Sequence, residues 1–325
     1  MNEEETLTLT RTCTGDTTAT VHSCKQLCRL WAGFGIVNEI TTGTMQTFVV
    51  KKVVLPSSDC TSIGDERKKQ SYECEAHFYE NGMASRLHEI GCLVPVPLHV
   101  QSGGSVTIAM TKLDGISASG GINFKQAAAC MQWFARLHSE FWGNERADAA
   151  VALGIQQQGT YWYLDTRPDE FATMPSHGWE GRLKLAAAKI DECLKSDTCF
   201  QTICHGDAKS ANMLFKKEER EEDEWTVQMY DFQYCGKASF GKDLAYFFIC
   251  ALSDSNDEEA LMHLYYEVLQ EELQRKWNEK CPELKELQDV VDLCVCDLGR
   301  WMSGWGWWGH DVSERIVRVL DRHSF

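Results

Sequence analysis

His205-Gly206-Asp207-Ala208-Lys209-Ser210-Ala211-Asn212, followed nineteen residues later by Asp231-Phe232-Gln233, is the stretch that decides the fold. Apolar and polar residues alternate ahead of Asp231, the pattern of a strand. Phosphoryl transfer needs a carboxylate beside the attacking hydroxyl, oxygen ligands for Mg²⁺ and cations for the phosphates. Asp207 can accept the proton, Asn212 and Asp231 supply hard oxygens, and Lys209 can reach a transferring phosphoryl group. His205 is expected to be structural, and Asp243 to cap a helix or brace this loop.

Outward from that stretch, the chain divides by character. Thr47 to Leu55 is β-branched and apolar and stops at Pro56; 96–100 and 106–113 form a second strand pair around Gln101-Ser102-Gly103-Gly104. Residues 57–70 have loop composition, and 71–90 carry helical spacing. Asp114 to Gly121 is the best linker. Beyond it 124–142, 183–194 and 261–277 predict helices, with a short strand pair near 213–215 and 227–230. Residues 1–20, polar and Thr-rich, predict a loosely held arm. The expected fold is α+β: a small antiparallel sheet lobe over 1–113, then a larger, mostly helical lobe over 114–325, with a cleft between them.

Taken together, the segments resemble the aminoglycoside phosphotransferase and choline kinase superfamily, nearest its ecdysteroid-kinase-like branch. H-G-D-x-x-x-x-N and D-F-Q carry the resemblance. Leu30-Trp31-Ala32-Gly33-Phe34-Gly35, Val49-Val50-Lys51, Ser71 to Tyr79, Ala135 to Trp142 and Asp243 to Phe247 extend it over nearly the whole chain. It implies a bilobal, protein-kinase-like fold with ATP and Mg²⁺ between the lobes. Lys51 would bind phosphates and pair with Glu75, and Gly33 and Gly35 would let backbone approach them. Asp207 would be the base, and Asn212 and Asp231 would hold metal. Lys51 and Lys52 face opposite sides of one strand, so only one enters the cleft; the V-x-K match favours Lys51. Three departures bear on function. Gly206 and Gln233 replace the residues of protein kinases, only twelve residues separate Asp231 from Asp243, and Lys209 is absent from some relatives.

The implied activity is transfer of the γ-phosphoryl of ATP to a hydroxyl of a small-molecule acceptor. The rivals are a catalytically silent kinase-like binding protein and, disfavoured by the short segment after Asp231, a protein kinase. A net charge of −16 argues against nucleic acid and anionic membranes and suits a cationic acceptor. Aromatic stretches at 159–168, with an apparently unpaired Arg167, and at Trp301 to His310 could pack the core or line an acceptor site. Fifteen cysteines without metal spacing predict reduced, mostly buried thiols, and an acidic start without an apolar stretch predicts a cytoplasmic protein.

Overall fold

The computed structural model describes residues 1–30, 33–55, 62–118, 120–217 and 224–325. It opens with helix α1 (Glu3–Thr14), where a loose arm was expected. Asn2 caps it by accepting from Glu5 N at 2.8 Å, and three glutamates occupy its first turn, where the helix dipole favours negative charge. Its threonines are tolerated because each hydroxyl bonds a carbonyl four residues back, as Thr10 does with Thr6 O at 2.8 Å. Only Thr6, Leu9 and Thr10 are buried, too thin a stripe to show in the sequence pattern.

Strands β1 (Val21–Arg29), β2 (Gly35–Thr42), β3 (Thr47–Val54), β4 (Pro97–Gln101) and β5 (Ser105–Thr111) form an antiparallel sheet in the order β1-β2-β3-β5-β4. Alternation along β3 splits its side chains between two cores. Phe48 and Val50 pack with Leu9, Ile40 and Ala109 under α1, while Val53 joins the main core. Between the hairpins lie α2 (Ile63–Glu80) and α3 (Met83–Glu89). Two expectations fail here. Ser62 caps α2 inside the stretch read as loop, and the single helix over 71–90 breaks at Asn81 and Gly82, whose φ is +86°.

The rest is mostly helical: α4 (Phe124–Glu140), α5 (Asn144–Val151), α6 (Pro168–Thr173), α7 (Gly178–Lys195), α8 (Gly241–Cys250), α9 (Glu258–Trp277), α10 (Leu284–Trp305) and α11 (Ser313–His323). Two small antiparallel pairs interrupt it, β6 (Gln201–Cys204) with β9 (Gly236–Ser239) and β7 (Met213–Lys217) with β8 (Trp225–Met229). The fold is thus the expected sheet lobe followed by a larger helical part. Arg86 of α3 ties the two through Glu140 of α4, at 2.7 Å from Nε. Cysteines among the described residues are free thiols, most of them buried. No helix among the described residues is long and apolar enough to cross a membrane.

Candidate active site

The loop after β6 is fixed by Asp243 in the first turn of α8. Its buried carboxylate accepts from the backbone of His205 at 2.7 Å and Gly206 at 2.9 Å, and lies 3.3 Å from His138 Nε2. Gly206 has φ +81°, and a Cβ there would stand 2.0 Å from Tyr234 O, so no larger residue fits. His205 uses both ring nitrogens on backbone: Nδ1 accepts from Asp207 N at 3.3 Å, and Nε2 donates to Tyr230 O at 3.1 Å. That is the structural role expected of it.

Asp207 is 3% exposed. Its Oδ2 accepts from Lys209 Nζ at 2.7 Å and Asn212 Nδ2 at 3.0 Å, whereas Oδ1 is buried without a partner among the described residues. Burial raises its pKa; Lys209 opposes the rise and Asp231 adds to it. Asn212 also donates to Asp207 O at 3.0 Å, so both of its bonds leave from nitrogen. Tyr230 N donates to Asn212 O at 3.1 Å, which brings Asp231 alongside the loop. Asp231 itself sits at φ +70°, a left-handed conformation that costs a non-glycine residue roughly 1–2 kcal/mol. Its Oδ1 accepts from Lys51 at 3.0 Å and Gln233 Nε2 at 2.6 Å. Although burial opposes it, Lys51 draws the Asp231 carboxyl down to about 2.

Lys51 and Lys52 separate as strand geometry demands. Lys51 turns inward, 2.5 Å from Glu75 Oε2, and is buried; Lys52 reaches Glu5 of α1 on the opposite face. Burial works against the Lys51 charge, but Asp231 and Glu75 hold its pKa above the ordinary lysine value. Gly33 has φ +76°, and beyond its chain neighbours no described residue comes within 4 Å of where a Cβ would stand, as a turn approached by a ligand allows. Gly35 answers to a different demand: a Cβ there would lie 2.1 Å from Lys52 O, so β3 itself excludes it. Trp31 and Ala32 of that loop lie outside the described residues.

Beside the loop that carries Asp207 stands an aromatic wall. Tyr161 and Tyr246 share a hydroxyl bond of 2.7 Å, and Tyr161 packs edge-on against Trp301 at 4.9 Å. Trp301 is buried and packs in turn on Trp308, while Trp305 is 61% exposed. Arg167 is not unpaired. Its Nη1 lies 2.9 Å from Glu170, and its guanidinium stands over Tyr161 and Trp301. Sequence reasoning passed over Arg67, Lys68 and Tyr234 here. The first two lie in the stretch taken for loop; the helix cap at Ser62 was the signal available.

The model of the ecdysteroid kinase-like family matches residues 180–276, which include the loop, Asp231 and Asp243. No curated protein matches the chain by sequence. Among solved structures, a spectinomycin phosphotransferase in complex with ADP and spectinomycin aligns over 98% of both chains at 12% identity, TM-score 0.56. A Plasmodium vivax ethanolamine kinase covers 94% of this chain and 83% of its own, at 13% identity and TM-score 0.53. The amicoumacin kinase hAmiN, solved with AMP-PNP and Ca²⁺, covers 100% and 92%, at 11% identity and TM-score 0.52. The resemblance to the aminoglycoside phosphotransferase and choline kinase superfamily is borne out, and the fold is the kinase-like one these enzymes share.

Proposed function

We propose that this protein transfers the γ-phosphoryl group of ATP to a hydroxyl of a small molecule, with the nucleotide between a lobe of residues 1–113 and one of residues 114–325. The observation that carries the reading is Asp207, buried, anchored through one oxygen and unmet at the other by any of the described residues. A buried acceptor atom without a donor is costly unless a ligand supplies one, and an attacking hydroxyl would do so. Asp207 then orients that hydroxyl and takes its proton as the oxygen–phosphorus bond forms and the bond to ADP breaks. Lys51, steadied by Glu75, binds the α- and β-phosphates; Lys209 faces the transferring group; Gly33 admits the phosphates past the glycine loop.

Asn212 and Asp231 fit Mg²⁺. Asn212 spends its amide nitrogen on Asp207, Asp231 keeps one oxygen without a hydrogen bond among the described residues, and both offer the hard donors the ion prefers. When bound, it would neutralise phosphate charge. A protein acceptor is disfavoured because the segment between Asp231 and Asp243 is short and its middle, Gly236–Ser239, is spent on β9 and its pairing with β6. The test is ADP release against a metabolite panel, a generic protein substrate and no acceptor, with Asp207→Asn as blank. Acceptor-dependent release from one metabolite class supports the reading. Stabilisation by ATP with no release from any acceptor would favour the silent binding protein.

A further inference from the structure

In a chain of net charge −16, the side of the cleft between α2 and residues 159–170 gathers cations. Arg67 Nη1 donates to Thr166 O at 2.8 Å, while its Nε is buried without a partner among the described residues. Lys68 donates to Tyr234 OH at 3.0 Å and stands over the Tyr234 and Tyr72 rings. Neither meets a carboxylate among the described residues. Nearby acids are committed elsewhere: Glu170 to Arg167, Asp165 to Lys195, and exposed Glu66 to Gln70. Burial, with Arg167 adding repulsion, holds the Arg67 pKa below its usual value.

This cluster adjoins the reacting groups through Tyr234. The Tyr234 ring lies 5.1 Å from that of Tyr161, and its carbonyl abuts Gly206 beside Asp207. Beneath Arg67 an open depression of about 420 Å³ is lined by Glu66, Arg67, Gln70, Tyr163, Asp165 and Thr166. The aromatic faces that could hold a cationic acceptor are already taken, because the Arg167 guanidinium lies 5.3 Å from the Tyr161 centroid and 5.4 Å from that of Trp301. An incoming cation would meet Arg67, Lys68 and Arg167. An anion would meet two donors that form no ion pair among the described residues, and charge-assisted bonds in a half-buried site are the strong ones.

Building on the phosphotransferase reading, we infer that the acceptor carries an anionic group besides its hydroxyl, such as a carboxylate or sulfate, held by Lys68 and Arg67. The experiment measures binding of three matched alcohols, para-(hydroxymethyl)benzoate, para-benzenedimethanol and para-(hydroxymethyl)benzylamine, to the full chain with Mg²⁺ and AMP-PNP, and ADP release from the same three with ATP. The carboxylate is expected to bind about 10-fold tighter than the diol, the amine weakest, as one charge-assisted bond implies. Lys68→Gln, and Arg67→Gln separately, should shrink that ratio.

Equal binding, amine preference, no binding of the benzoate, or a ratio untouched in both variants overturns the inference. So does a variant that weakens AMP-PNP and leaves the order of the alcohols unchanged, since the cations then serve the nucleotide. The expected order without ADP release upholds the anion site and counts against phosphoryl transfer. ADP release that favours the diol or the amine does the reverse.

Discussion

Two buried carboxylates, Asp207 and Asp297, stand among cations in the same helical part of the molecule. Asp297 on α10 is 1% exposed, and both its oxygens are occupied: Lys242 Nζ at 3.0 Å on one, Arg300 Nε at 2.9 Å on the other. Burial would raise its pKa, but Lys242 and Arg300 together lower it. Asp207 is nearly as buried, yet one of its oxygens is empty and burial prevails over Lys209. Among the described residues the first cluster is closed around its carboxylate, leaving only Arg300 Nη1 without a partner, and serves the fold. The second is left open on the side where a ligand would complete it. Burial alone does not separate these two carboxylates; the occupancy of their oxygens does.

The largest expected effect lies in the closed cluster. Asp297→Ala leaves Lys242 and Arg300 buried and unneutralised, and should cost about 3–5 kcal/mol in denaturant unfolding. A loss below about 1 kcal/mol would erase the distinction drawn from Asp207. The same carboxylate sets a pH window. Its folded pKa lies below the ordinary 3.8, so its contribution is complete above that value and is lost as pH falls through the lower folded one. The stability gap between wild type and Asp297→Asn should therefore stay level from neutral pH down to about 4 and close below it. A gap that closes near neutrality would show the carboxylate to be poorly paired.

Trp301 and Trp305 sharpen the contrast on the aromatic wall. Trp301, 3% exposed, should cost about 3–5 kcal/mol on truncation to Ala. Trp305, 61% exposed, should cost under about 0.5 kcal/mol, so any rise in acceptor KM in Trp305→Ala is free of unfolding. Unchanged acceptor kinetics there would remove Trp305 from the site. The smallest effect belongs to the neighbouring lysines. Lys52→Met breaks only the half-exposed pair with Glu5 and should cost at most about 1 kcal/mol while leaving thermal stabilisation by Mg²⁺ and ATP intact. Lys51→Met should abolish that stabilisation. Equal ligand shifts in the two variants would undo the assignment of Lys51.

The open cluster was legible in the sequence because its parts are close together: Asp207, Lys209 and Asn212 span six residues, and strand alternation ties Lys51 to one face. The closed cluster was not, since Lys242 and Asp297 meet only through the packing of α8 on α10. Arg67 and Lys68 were missed because polar composition masked a capped helix start. α1 was missed because its threonines satisfy themselves on its own carbonyls. At Gly35 the β3 backbone by itself requires glycine, a demand the sequence pattern does not show.

Asp207→Asn and Asp297→Asn, prepared side by side, test the central claim most directly through acceptor-dependent ADP formation and unfolding free energy. Asp207→Asn should lose at least ~10²-fold in kcat with stability within about 1 kcal/mol of wild type. Asp297→Asn should lose stability and keep its turnover per folded molecule. Substantial turnover in a folded Asp207→Asn protein would contradict the account.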